Sequence, residues 1–222
     1  MKLFHWIGSL LFPEKCILCD RILDDGEVDL CKDCRINAPV CPISKVKYPF
    51  IDQWIGLWYY ESHVRKSLLR YKFHNRRSYA AGYGRLLAMR LISEERDQFD
   101  VLTWVPISSE RLRKRGFDQV ELLAEKIGCE LGVTPIATLR KIRNNRQQSS
   151  ITGQAQRRAN VLGAYEAMEP NRFAGKRVLL LDDILTTGAT ASECARVLLT
   201  AGAKEVQLAV IATANHQTKT NR

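Results

Sequence analysis

The sequence predicts an α/β fold, a parallel sheet with helices on both faces, preceded by a small cysteine-rich head. Three observations predict it. Short, nearly uninterrupted apolar runs at 101–105, 178–181 and 206–212 alternate with segments of helical period, as expected of strands buried on both faces. Five of the seven cysteines fall in the first 41 residues. Hydrophobic residues make up 45% of 222 positions, enough for a full-sized core and too many for a disordered chain.

Residues 3–12 are apolar but short, and Pro13-Glu14-Lys15 follows where a secretory signal would carry small residues; they read as a packing helix. No run approaches the roughly 20 apolar residues that span a bilayer, so no transmembrane segment is expected. The head ends near Cys41-Pro42 and residues 45–49 make a short linker, dividing the chain into 1–45 and 46–222. Residues 53–60 (QWIGLWYY) are aromatic and β-branched and read as a strand. Residues 64–71 and 79–92 carry apolar positions at helical spacing. The run 101–105 stops at Pro106, and 120–131 is helical with Gly132 placed to end it. Strand 178–181, helix 191–200 closed by Gly202, and strand 206–212 complete the pattern.

Cys16-x-x-Cys19 and Cys31-x-x-Cys34 form a paired-knuckle arrangement, each turn aiming two thiolates at one point. Four thiolates complete the tetrahedron that zinc prefers and leave no open position for water, so the metal would be structural. Such a head is too small for a core of its own, and metal binding would supply folding energy. The intervening loop is long enough for a small β-hairpin. A redox pair or incidental cysteines remain the alternative. Cys41, Cys129 and Cys194 have no visible partner, and the odd, lopsided count fits a reducing, cytoplasmic compartment better than a disulfide framework.

The most informative stretch is LLLDDILTTGAT, residues 179–190. An apolar strand delivers Asp182 and Asp183 to its carboxyl end, the edge where ligands bind in open α/β sheets. Thr186, Thr187, Gly188, Ala189 and Thr190 then offer hydroxyls and backbone N–H groups at a helix start, a phosphate cradle. The acids suit sugar hydroxyls or a magnesium ion beside the phosphate. An Asp-Asp cap on a threonine-rich turn would explain one acid and one threonine, not the whole run.

This stretch resembles the phosphoribosyl-pyrophosphate signature of type I phosphoribosyltransferases. A second block, Val105-Pro-Ile-Ser108 through Arg115-Gly-Phe-Asp-Gln119 and Glu121-Leu-Leu-Ala124, together with the Cys-x-x-Cys head, resembles the ComF family of competence-associated proteins. Tyr71-Lys-Phe73, Gln147 and Arg158-Ala-Asn160-Val161 are weaker matches; the likeness covers essentially the whole chain in order. It implies a zinc ribbon joined to a type I phosphoribosyltransferase fold, phosphoribosyl pyrophosphate with magnesium as ligand, and catalytic roles for Asp182 and Asp183. It further implies pyrophosphate contacts from Ile107, Ser108 and Ser109, with residues 143–154 as a loop closing over the sugar. Two departures stand out: Ser44 where a second knuckle would carry cysteine, and Asp118 where the family usually has Asn.

The net charge is +10, from 34 Lys and Arg against 24 Asp and Glu. Between Arg111 and Arg158 eleven basic residues face four acids, a balance of +7 on the inferred ligand edge. Arg111, Arg113, Lys114, Arg115, Arg143 and Arg146, with Gln119 of the family block, are therefore candidates for pyrophosphate or nucleic-acid contact; a solvated basic face is the bland alternative. Phe117 and Trp104 read as core residues before stacking platforms, and the four histidines show no metal spacing. Two functions follow from the resemblance. One is handling of internalised single-stranded DNA in natural transformation, with a phosphoribosyl-pyrophosphate pocket. The other is magnesium-dependent phosphoribosyl transfer to a base or amine. A third reading makes the head a docking module for a DNA helicase of the uptake machinery.

Overall fold

The computed structural model describes residues 13–143 and 159–215; the expected helix at 3–12 lies outside them. The described chain runs α1 (Lys32–Asn37), β1 (Gln53–Tyr59), α2 (Ser62–Phe73), α3 (Tyr79–Ser93), β2 (Val101–Trp104), α4 (Ser109–Arg115), α5 (Gln119–Leu131), β3 (Leu139–Lys141), β4 (Tyr165–Ala167), β5 (Arg177–Leu185), α6 (Ala189–Thr200) and β6 (Glu205–Thr213). Four strands form one parallel sheet in the order β1-β6-β5-β2. β3 and β4 pair antiparallel in a separate ribbon. No helix among the described residues is long and apolar enough to cross a membrane.

Alternation along the strands builds two cores. Leu179 and Leu181 of β5 and Ala209 and Ile211 of β6 face α2, α3 and α5, in one cluster with Leu68, Tyr83, Leu123 and Ile127. Val178, Leu180, Val206, Leu208 and Val210 point the other way, onto Ala191, Cys194, Ala195 and Leu198 of α6. A period of two sends successive side chains to opposite faces. The same rule divides Asp182 from Asp183.

The head shares the first core. Ile17, Leu18 and Leu30 are buried in the cluster that holds Leu68 and Tyr83. The Asp29 carboxylate pairs with Arg85 of α3, and Arg70 donates to the Leu18 carbonyl at 2.6 Å. Residues 39–41 lie antiparallel to β1 through Tyr59 N–H to Pro39 O at 2.7 Å and Cys41 N–H to Leu57 O at 2.9 Å.

The structure departs from expectation in three places. The loop 20–30 contains no strand: Asp20, Gly26 and Asp29 adopt positive φ, and Arg21 ties the loop together through Asp24 and Glu27 instead of a ladder. α4 was not anticipated because its sequence, SERLRKR, buries no residue and so shows no apolar period. It is held by its ends: Ser108 Oγ accepts from the Arg111 amide, and Gly116 closes it with φ 77°. The β3–β4 ribbon was missed because two three-residue strands 23 residues apart carry no hairpin signal. Gly132 ends α5 at φ 68° as the sequence indicates.

Candidate functional site

The carboxyl edge of the sheet opens into a cleft of about 760 Å³. Its floor is the end of β5, with Asp182, Asp183, Thr186 and Thr190. α2 lines the cleft through Arg65, Leu69, Lys72 and Phe73, and α4 through Arg111, Lys114 and Arg115. Lys141 and Tyr165 of the ribbon line it as well. Six cations thus surround two carboxylates, a surface that attracts a ligand carrying several negative charges.

The two acids are not equivalent. Asp183 points toward α2 and α5, where Lys72 Nζ lies 2.9 Å from one oxygen and Gln119 Nε2 donates to the other at 2.8 Å. Burial alone would raise it, but Lys72, Gln119 and the nearby Arg115 hold its carboxyl below the ordinary range. Asp182 points to the other face and makes no ion pair among the described residues; its oxygen accepts from the Asp183 amide at 2.8 Å. Burial and the Asp183 charge push it well above the ordinary range. Thus Asp183 is held by a cation and an amide, whereas among the described residues Asp182 has no ion-pair partner.

Gln119 is a relay. Its side-chain oxygen accepts from Arg115 Nη1 at 2.6 Å, and its backbone carbonyl accepts from the buried Tyr71 hydroxyl at 2.6 Å. Asp118, the departure from the family pattern, is a buried connector whose oxygens accept from the amides of Ile107 at 2.9 Å, Val120 at 2.9 Å and Glu121 at 3.3 Å. It caps α5 and fastens the loop after β2, so its charge answers three N–H dipoles rather than a ligand. Burial nonetheless raises its pKa.

The cleft gathers Asp182, Asp183, Thr186, Thr190, Ile107, Arg111, Lys114, Arg115 and Gln119. Thr187, Gly188, Ala189, Ser108, Ser109, Arg113 and Arg143 do not line it. Ser108 is the buried cap of α4, and Ser109 and Arg113 are exposed on that helix. Arg143 is spent on the carbonyls of Gly163, at 3.0 Å, and Leu162. Gly188 holds φ 74° at the start of α6, and a β-carbon there would collide with the Tyr48 ring. Its lack of a side chain thus makes room for the segment arriving from the head, rather than for a ligand. Arg146 and most of the loop 143–154 lie outside the described residues. Sequence reasoning gave no role to Lys72, Lys141 or Tyr165. Lys72 had a signal in Tyr71-Lys-Phe73; the ribbon pair, with Lys141 Nζ 3.1 Å from the Tyr165 hydroxyl, had none.

The four head cysteines converge, all sulfurs lying within 4.8 Å of one another. Cys19 and Cys31 sulfurs are 3.7 Å apart, close to the edge of about 3.8 Å of a tetrahedron with 2.3 Å zinc–sulfur bonds. Cys31 also accepts the Cys34 amide. Burial raises the Cys19 and Cys34 thiols, so four thiolates need a cation among them, and the set fits a metal. Cys41 lies outside this cluster, buried, with its thiol raised by burial.

The knuckle and the cleft share a strut. Ser67 and Arg70 of α2 bind the carbonyls of Ile17 and Leu18, and the next two residues, Tyr71 and Lys72, bind Gln119 and Asp183. An acidic pair at the carboxyl end of a parallel sheet, with a threonine turn and a basic-lined cleft, defines a protein of the type I phosphoribosyltransferase fold. The chain belongs to the phosphoribosyl transferase domain family, whose family model matches residues 112–222. It is 28% identical over 202 residues to the DNA utilization protein YhgH of Salmonella typhi, covering 87% of each chain. It is 29% identical over 224 residues to competence protein ComFC of Streptococcus pneumoniae, covering 87% of this chain and 97% of that one. Among solved structures, glutamine phosphoribosylpyrophosphate amidotransferase from B. subtilis matches at 24% identity and TM-score 0.44, over 64% of this chain and 30% of its own.

Proposed function

We propose that the cleft binds phosphoribosyl pyrophosphate or a related 5′-phosphoribosyl ligand, and that the protein handles internalised single-stranded DNA in the cytoplasm during natural transformation. The observation that carries the reading is the unequal acid pair ringed by six cations. Asp182, with no ion-pair partner among the described residues, is the group a divalent ion arriving with the ligand would satisfy. Magnesium would be held by Asp182 and the ligand's phosphates, neutralising pyrophosphate charge. Thr186 and Thr190 would hold the 5′-phosphate, while Arg111, Lys114 and Lys141 would neutralise the pyrophosphate. Lys72 keeps Asp183 ionised and oriented toward Gln119 and Arg115. Zinc in the Cys16, Cys19, Cys31 and Cys34 cluster supports the knuckle on which α2 rests.

DNA strand binding draws on the same charge, since α4 buries nothing and displays four cations, Arg111, Arg113, Lys114 and Arg115. The deciding experiment measures phosphoribosyl pyrophosphate by calorimetry with magnesium, and labelled single-stranded DNA by anisotropy, on one preparation of wild type and Asp182→Ala. Saturable ligand binding lost in the variant, with strand affinity that falls steeply with salt, supports the reading. Absence of both from the wild type ends it. Release of pyrophosphate in the presence of a base or amine would instead favour the transfer reaction.

A further inference from the structure

Among the described residues, Phe73 is the exposed large apolar side chain that lines the cleft, with 61% of its surface in solvent. It ends α2 and adds nothing to either core. Arg115 stacks on its ring, the guanidinium carbon 4.9 Å from the centroid. The same Arg115 donates to Gln119, which holds Asp183. Phe117, beside the basic run but read from sequence as a core residue, is already occupied: Arg77 lies 4.6 Å over it and Tyr71 packs at 6.2 Å. Trp104 packs against the first core.

We propose that Phe73 is a nucleobase-stacking platform at the mouth of the cleft, receiving one base of a single strand. Its phosphates would run along the cations of α4. This rests on the strand-handling reading above and adds the residue that grips a base. A planar ring backed by a guanidinium offers a base an extended π-surface that tolerates any sequence. Duplex bases are already stacked and cannot reach it. A free base would be better served by an enclosed slot with buried hydrogen-bonding groups, whereas Phe73 stands in solvent on a cleft that Arg65 and Lys114, both exposed, also line.

The test compares an oligothymidylate with an abasic strand of equal length, by anisotropy, on the full metal-loaded protein. Phe73→Ala should weaken the oligothymidylate by about 5- to 150-fold and leave the abasic strand unmoved, and Phe73→Trp should keep wild-type affinity. Lys114→Ala should weaken both strands alike. Because Phe73 is exposed, equal metal content and thermal midpoint will show that Phe73→Ala is folded. If wild type binds the strand and Phe73→Ala binds it equally well, the platform is wrong and the strand reading stands. If wild type binds neither strand, both fall. Displacement of the oligothymidylate by free thymine through Phe73 would overturn the strand assignment.

Discussion

Lys72→Met removes the only cation within ion-pair distance of Asp183 among the described residues, while keeping most of the side chain's apolar stem. The pair is enclosed, with side chains 16% and 9% exposed. Removing one partner of a buried pair costs about 3–5 kcal/mol. Here Gln119 still donates to Asp183 at 2.8 Å, which places the loss near the lower end, about 3 kcal/mol. The pH dependence supplies the sign. In the wild type burial would raise Asp183, but Lys72 and Gln119 hold it below the ordinary carboxylate value. A depressed acid contributes stability that is complete above its unfolded pKa, about 3.9, and is lost as pH falls through the folded value. Without Lys72 burial dominates and the folded pKa rises. The ionised acid then destabilises at neutral pH, and the penalty shrinks as pH falls. Urea midpoints by circular dichroism at about pH 7.5 and about pH 5, with unchanged slope, measure this. The variant should lose about 3 kcal/mol at the higher pH and clearly less at the lower. Adding Asp183→Asn should recover most of the loss. Equal destabilisation at both pH values, or no recovery in the double variant, would refute the reasoning.

Asp182→Asn should behave oppositely in stability. The folded acid is raised by burial and by Asp183, so ionisation costs stability as pH climbs; thermal midpoints of the variant should equal or exceed wild type above neutrality. Its affinity for phosphoribosyl pyrophosphate with magnesium should nonetheless fall by about tenfold or more by calorimetry, equivalent to about 1.4 kcal/mol. Gly188→Ala should lose about 1–2 kcal/mol from left-handed strain alone, and more from its collision with Tyr48; Tyr48→Ala should relieve the second part in a double-variant urea series. Stripping the metal from Cys16, Cys19, Cys31 and Cys34 should loosen the Ile17 and Leu18 carbonyls that Ser67 and Arg70 hold. Hydrogen exchange should then rise in α2 together with a drop in ligand affinity, and confinement of the change to residues 13–41 would contradict the strut.

Much of this was legible before any coordinates. Three of the four strands of the main sheet stood out as apolar runs, and β1 by its aromatic, β-branched texture. Asp182 and Asp183 stood at the end of one such run, and four cysteines at knuckle spacing announced a cluster that could hold a metal. What escaped detection has a common cause. α4 has no buried side chain to impose a period, and β3 and β4 are joined by a long connection. Lys72 lies 111 residues from its partner Asp183, a separation no local pattern bridges.

The sequence by itself determined the α/β class and the position of two acids at a strand's carboxyl end, because these follow from local periodicity and from residue order. Only the tertiary structure decided which acid pairs with a cation among the described residues. Pleating sends Asp183 against Lys72 and Gln119 and Asp182 to the opposite face. It also joined the cysteine knuckle to the cleft through α2, since one helix can bind a loop with one turn and a strand-end acid with the next. The arrival of Tyr48 beneath Gly188 belongs to the same class of fact: two segments 140 residues apart in the chain, made neighbours by packing alone.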